Sequence, residues 1–236
     1  MRKMRLSAVA LFFAVVGPAA AADLGPPAAQ IPVQAADWSG FYAGVHGGYA
    51  WANRTGCFRL PHTTPLTSCP TPPNNRDFNY NQAGGLIGAQ AGYNWQPAQH
   101  FVLGLQADGS LADIAGTLTG TAAGVGTWTS MGTATAKAGI AGNRWMAYVE
   151  GGYAIANMNF VGNTGCNFNM THTGPVAGVG IGMKLSQKVS LDLKYDHAWL
   201  GTQDIGCTTL GFAPTQVRTT ANMDIVKLGL NYNFGN

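Results

Sequence analysis

The residues of this chain that could do chemistry are few and scattered. Cys57, Cys69, Cys166 and Cys207 show no Cys-x-x-Cys or Cys/His metal spacing and suit cross-linking in an oxidising compartment. His46, His62, His100, His172 and His197 stand apart from one another. No nucleophile has a base at a recognisable spacing and no paired carboxylates mark an acid–base site. Gly84-Gly85 and Gly178-x-Gly180-x-Gly182 follow strand alternation, not the turn of a phosphate loop. No enzyme, cofactor or metal centre is therefore expected. Ion pairing is the one chemistry with a pattern behind it. Asp108, Lys137, Glu150, Lys184, Asp192, Lys194, Asp196 and Lys227 each fall on the polar side of a segment whose other side is apolar. Enclosed together, such charges must be paired or hydrated. They would form either a narrow gated ion path or a static polar filling that fixes strand register.

The elements that would hold these charges are clearest at the end of the chain. From Asp224 to Phe234, Val226, Leu228, Leu230, Tyr232 and Phe234 fall on one face, and Ile225, Lys227, Gly229, Asn231 and Asn233 on the other. A period of two over nine or more residues is the length and pattern of a strand crossing a membrane, lipid on one side and a polar lumen on the other. Seven more segments read the same way: Phe41 to Trp51, Gln82 to Trp95, Phe101 to Leu111, Thr127 to Ala141, Trp145 to Ala156, Gly174 to Leu185 and Val189 to Trp199. Between them, Ala52 to Phe78 and Asn157 to Thr173 read as external loops, the first holding five prolines. The turns near Pro97, Asn143 and Gln187 are short, and Gly-Gly-Tyr-Ala-x-Ala-Asn occurs at both Gly47 and Gly151. The expected fold is all-β: an eight-stranded antiparallel transmembrane up-and-down β-barrel, with short periplasmic turns and long external loops.

Composition and the N-terminus agree. Met1 to Ala22 has a basic start, an apolar run and Ala20-Ala21-Ala22, the pattern of a secretory signal peptide cleaved after Ala21 or Ala22. No later run holds the roughly 18 apolar residues of a transmembrane helix. Residues 23–37 form a Pro/Ala-rich periplasmic arm, expected to be extended and mobile, and residues 38–236 the barrel. Without Arg2, Lys3 and Arg5 the chain carries ten basic and ten acidic residues, so no basic excess favours nucleic acid.

Aromatic residues cluster at both ends of the outward faces, as interfacial girdles do. Phe41, Tyr93, Trp95, Trp145, Tyr232 and Phe234 would mark the periplasmic rim, and Tyr49, Trp51, Tyr153, Tyr195 and Trp199 the outer rim. Many inward glycines, Gly44, Gly92 and Gly180 among them, leave room for water. Lys137 and Glu150 flank one turn and could pair, and Asp192 or Lys194 could meet Lys227 or Lys184. All four cysteines fall in external loops; Cys57 with Cys69 and Cys166 with Cys207 is one of three possible pairings. His62 and His172, read as loop residues, are either solvated or ligands to haem iron, while His46 reads as a hydrogen-bonded lumen residue.

Three patches resemble a known family. Asp37-Trp38-Ser39-Gly40-Phe41-Tyr42-Ala43-Gly44, Gln90-Ala91-Gly92-Tyr93-Asn94-Trp95-Gln96 and Leu228 to Phe234 are similar to the opening, second strand and last strand of the Omp25/Omp31-type outer-membrane β-barrel family of alphaproteobacteria. Lys227, Gly229, Tyr232 and Phe234 also match the terminal signal by which such barrels are recognised for assembly. The resemblance implies an eight-stranded barrel in the Gram-negative outer membrane, a partner in the barrel-assembly machinery, outer-membrane lipids around it and a role in envelope integrity. Some members are described as surface antigens, some as porin-like and some as haemin-binding. The expected function is thus structural, with loops presented at the surface; the alternatives are a narrow porin-like channel for ions or small solutes and, more weakly, a surface haem or ligand receptor.

Overall fold

The computed structural model describes residues 36–59, 77–119, 123–162, 167–207 and 215–234. The signal-peptide segment and most of the arm lie outside them, as do His62, Cys69 and Cys166. Eight strands run in chain order: β1 (Gly40–Arg59), β2 (Asp77–Ala98), β3 (Phe101–Leu118), β4 (Gly124–Ala141), β5 (Trp145–Gly162), β6 (Asn167–Lys184), β7 (Val189–Cys207) and β8 (Thr215–Asn233). Each pairs antiparallel with its neighbours, and β8 pairs with both β7 and β1. The sheet therefore closes on itself and leaves no edge strand unpaired.

In the lower half, the alternation works as the sequence suggests. Outward Phe41, Val45, Tyr49 and Trp51 of β1 are exposed, while Tyr42, His46 and Ala50 between them are buried. At about 3.3 Å per residue and a tilt of about 40°, Phe41 to Trp51 climbs roughly 25 Å, the height of a barrel's apolar band. All eleven expected girdle residues point outward and are exposed: Phe41, Tyr93, Trp95, Trp145, Tyr232 and Phe234 below, and Tyr49, Trp51, Tyr153, Tyr195 and Trp199 above.

Above the upper girdle the strands continue, and the segments expected to be loops are largely strand. β1 runs eight residues past Trp51, β5 extends to Gly162 and β6 starts at Asn167. The reason is a reversal of polarity. Most outward positions there are polar, among them Asn53, Thr55, Asn79, Asn81, Asn157, Asn159, Asn169 and Thr171, all exposed; Val125 and Val161 are apolar exceptions. Inward positions are Ala52, Tyr80, Ile114, Leu118, Trp128, Met158, Phe160, Met170, Leu200 and Met223, all buried in one apolar cluster. The exposed amides bond sideways between strands: Asn53 Nδ2 donates to Asn79 and Asn81, and Asn157 donates to Ser130 and accepts from Thr171. This upper part is a collar with an oily inside and a wet outside, which is the pattern of a water-soluble barrel. Register shifts mark the change in β3 and β4 (Leu111/Ile114, Trp128/Ser130) and in β7 (Trp199/Thr202). The last contains Gly201 at φ 68°, a left-handed position that a residue with a Cβ would occupy under strain.

Candidate functional site: the charged lumen

The middle of the lumen is a network of buried charges. Asp108 of β3 is the hub: it accepts from Lys227 Nζ at 2.7 Å and Thr133 Oγ1 at 2.6 Å, and lies 3.4 Å from Lys194 Nζ. Lys194 also reaches Glu150 at 2.9 Å and Asp196 at 3.4 Å, and Lys227 lies 4.0 Å from Asp196. Lys194 and Lys227 sit directly opposite each other on β7 and β8, a repulsive arrangement on its own. Carboxylates from β3, β5 and β7 reaching them inside the closed sheet resolve it. One layer lower, Lys137 Nζ donates to the Tyr42 hydroxyl at 2.8 Å, Tyr42 donates to Gln106, and Tyr148 donates to Asp192 at 2.8 Å. His46 bonds Ser110 at 2.8 Å, and Gln90 bonds Asn231 at 2.7 Å.

Of the eight charges expected in the lumen, seven are buried there: Asp108, Lys137, Glu150, Asp192, Lys194, Asp196 and Lys227. Lys184 is not among them. It stands half-buried at the periplasmic mouth, donating to the Asp37 carbonyl and lying over the Trp38 ring. Lys137 and Glu150 face each other in register but form no ion pair, because Lys137 turns down to Tyr42 and Glu150 turns to Lys194. The pairs expected between neighbouring strands give way to bonds across the lumen, such as Asp108 to Lys227, 119 residues apart.

Large side chains occupy the space beside the inward glycines. The inward glycines do not hold open space: a Cβ on Gly92 would meet Tyr42, one on Gly180 would meet Tyr148 and one on Gly229 would meet Gln90. Each glycine makes room for a large side chain, not for water as expected. Below the network, Trp38, Val102, Ala141, Met146 and Tyr148 form an apolar cap, with Ala36 packed on it. Trp38 enters it because its backbone N–H bonds Gln96 Oε1 at 2.8 Å, so the stretch just before β1 belongs to the barrel mouth. Above the network, the apolar cluster of the collar closes the other end.

The remaining candidates are placed as follows. Lys227 and Gly229 face the lumen, while Tyr232 and Phe234 face outward in edge contact with each other. Cys57 is disulfide-bonded and buried within β1, and Cys207 ends β7, so neither lies in a loop. His172 is not a loop residue but a fully buried one on the inner face of β6. His197 lies on the outer face of β7 against Asp224 at 2.6 Å, and His100 lies in the turn before β3. Arg54, buried in the collar, was not anticipated, since it falls in a stretch whose outward residues are polar. Its place two residues after Ala52 on the inward face was the available signal.

A closed eight-stranded barrel with an apolar belt, aromatic girdles and an ionic lumen defines an outer-membrane β-barrel protein. The chain belongs to the outer membrane protein beta-barrel domain family, whose profile matches residues 7–234. It is 28% identical over 254 aligned residues to the 31 kDa outer-membrane immunogenic proteins of Brucella melitensis and Brucella suis, covering 99% of this chain and 100% of theirs. Solved structures similar to it include the attachment invasion locus protein Ail of Yersinia pestis, with 11% identity, TM-score 0.46, and coverage of 83% of this chain and 99% of that one. Another is the outer membrane protease OmpT of Escherichia coli, with 8% identity, TM-score 0.47, and coverage of 82% and 96%. The protein is thus one of the outer membrane.

Proposed function

We propose that the protein is a closed structural barrel that contributes to envelope integrity and displays its collar and loops at the cell surface, without catalysing a reaction. The observation that carries this reading is the ionic layer of the lumen, held between two buried apolar clusters. An ion would have to break buried charge pairs and pass both oily layers, each a large barrier in a low-dielectric interior. The name of the Brucella relatives, immunogenic proteins of the outer membrane, supports surface display. Partners in this reading are outer-membrane lipids and the barrel-assembly machinery, engaged through β8 with its Tyr232 and the Phe234 that follows it. An apolar hollow of about 670 Å³ on the outer wall, between Phe41, Ala91, Tyr93, Leu105 and Ala136, supports close packing of acyl chains. Cys57–Cys69 and Cys166–Cys207 bridges would brace the outer end, and mapping a non-reduced digest tests that pairing.

Planar-bilayer recording separates this reading from the narrow porin-like channel. The wild-type barrel is expected to show no steady unit conductance, whereas steady openings that change in Lys137→Gln or Glu150→Gln would establish a pore. A strain lacking the protein should leak periplasmic contents and regain its barrier with a non-conducting wild-type copy.

A further inference from the structure

The inner wall of the collar gathers two thioethers and an imidazole. Strand register sets Trp128 opposite Met158 across β4 and β5, and Met158 opposite Met170 across β5 and β6. His172 follows Met170 by two residues and so shares its inward face. All four are buried. Arg54 reaches them from β1, with Nη1 2.7 Å from Met158 Sδ, Nη2 3.0 Å from Met170 Sδ and Nε 2.6 Å from Thr219 Oγ1.

The partners of His172 fix its protons. Nδ1 lies 3.1 Å from the Leu200 carbonyl oxygen, which only accepts, so Nδ1 carries the ring hydrogen. Nε2 is therefore a bare lone pair, and it lies 2.9 Å from Met170 Sδ, a thioether with no hydrogen to give. Two Lewis bases converge with nothing between them, and Met158 Sδ stands on the neighbouring strand. Among the described residues, no three His, Cys, Asp or Glu side chains are grouped to hold a metal. Thioether sulfur changes the class of ion: it is a soft donor that selects Cu(I)-like cations over hard divalent ones. A neutral donor set beside a buried guanidinium also disfavours a double positive charge more than a single one.

We propose that Met158, Met170 and His172 form a site for a soft monovalent cation, Cu(I) or Ag(I), with the Trp128 ring at its side. The Trp128 and His172 rings lie 5.2 Å apart with their planes tilted by 58°, so an aromatic ring borders the donor set. Arg54 is the built-in competitor. Its guanidinium covers both sulfurs, and the Tyr80 hydroxyl 3.3 Å from Nη1 and the Thr219 hydroxyl can keep it when the sulfurs are taken. The inference is independent of whether the barrel conducts.

The test is calorimetric titration of the folded mature protein in detergent with silver nitrate in chloride-free buffer, joined to silver X-ray absorption. One equivalent should bind with two sulfur neighbours and one nitrogen. Met158→Leu/Met170→Leu should weaken binding by at least about 100-fold while the barrel keeps its heat-modifiable gel migration, and Arg54→Gln should tighten binding by about tenfold. The proposal is overturned if neither wild type nor Arg54→Gln binds silver, or if the double leucine variant binds as wild type does. Should that variant fail to fold, a wild-type absorption spectrum lacking the sulfur shell overturns it equally.

Discussion

The two halves of this barrel share one sheet but solve opposite solvation problems. Below the upper girdle, outward Val45, Val149, Ile181 and Leu228 are more than 45% exposed, and Lys194, Asp196 and Lys227 fill the inside. Above it, outward Asn53, Asn157 and Thr171 are exposed, and Trp128, Met158 and Leu200 fill the inside. The strands, tilt and hydrogen bonding are continuous. What changes is the medium outside, hydrocarbon below and water above. The outer face of a barrel follows its solvent, and the inner face takes what fills the remaining volume.

The comparison can be broken or sharpened by substitution. The largest effect is expected for Lys194→Met, which strands Glu150 as a buried carboxylate and leaves Asp196 only Lys227 at 4.0 Å. It should cost about 3–5 kcal/mol in reversible urea unfolding from micelles, whereas Lys184→Met at the mouth should cost under about 1. If the two cost the same, the network is not what holds the lower half. Trp128→Ala should open a cavity in the collar and cost about 3–5 kcal/mol, against clearly less for the lipid-facing Trp95→Ala. Acidification offers a third probe. His172 is held neutral when folded but protonates near its ordinary pKa when unfolded, so the unfolded chain takes up the extra proton first. Stability should fall as pH drops from about 6.5 to about 4, by up to roughly 3 kcal/mol, and His172→Leu should flatten that part of the profile. The last pair compares the outer faces directly and holds the smallest single effect. Val149→Lys, midway up the apolar band, should cost about 2–4 kcal/mol, and Asn157→Lys on the collar within about 0.5. Equal penalties would mean that lipid also covers the collar.

Much of the lower half was legible in the chain. A period of two in Phe101–Asp108 or Val189–Asp196 places side chains on faces without further information, because successive residues on a strand must point to opposite sides. The collar was harder to read for a physical reason. A membrane strand carries apolar residues outside, whereas Asn53, Asn79, Asn157 and Asn169 are amides, the composition of loops. Had the sign of the alternation been left free, Ala52, Arg54, Tyr80, Gln82 and Ala156, Met158, Phe160 would have read as strand. The bulge at Trp128/Ser130 added to this by shifting which positions of β4 face in.

The sequence by itself determined which side chains share a face, that the strands number eight, and that the charged residues meet in the interior. It did so because pleat and hydrophobic pattern are local properties of the chain. Only the closed sheet decided who pairs with whom. Asp108 meets Lys194 and Lys227, and Arg54 meets Met158 and Met170, because closure brings strands from opposite sides of the wall within a side chain's reach. No spacing in a linear chain encodes a contact across a lumen; it exists once curvature and shear have fixed the diameter.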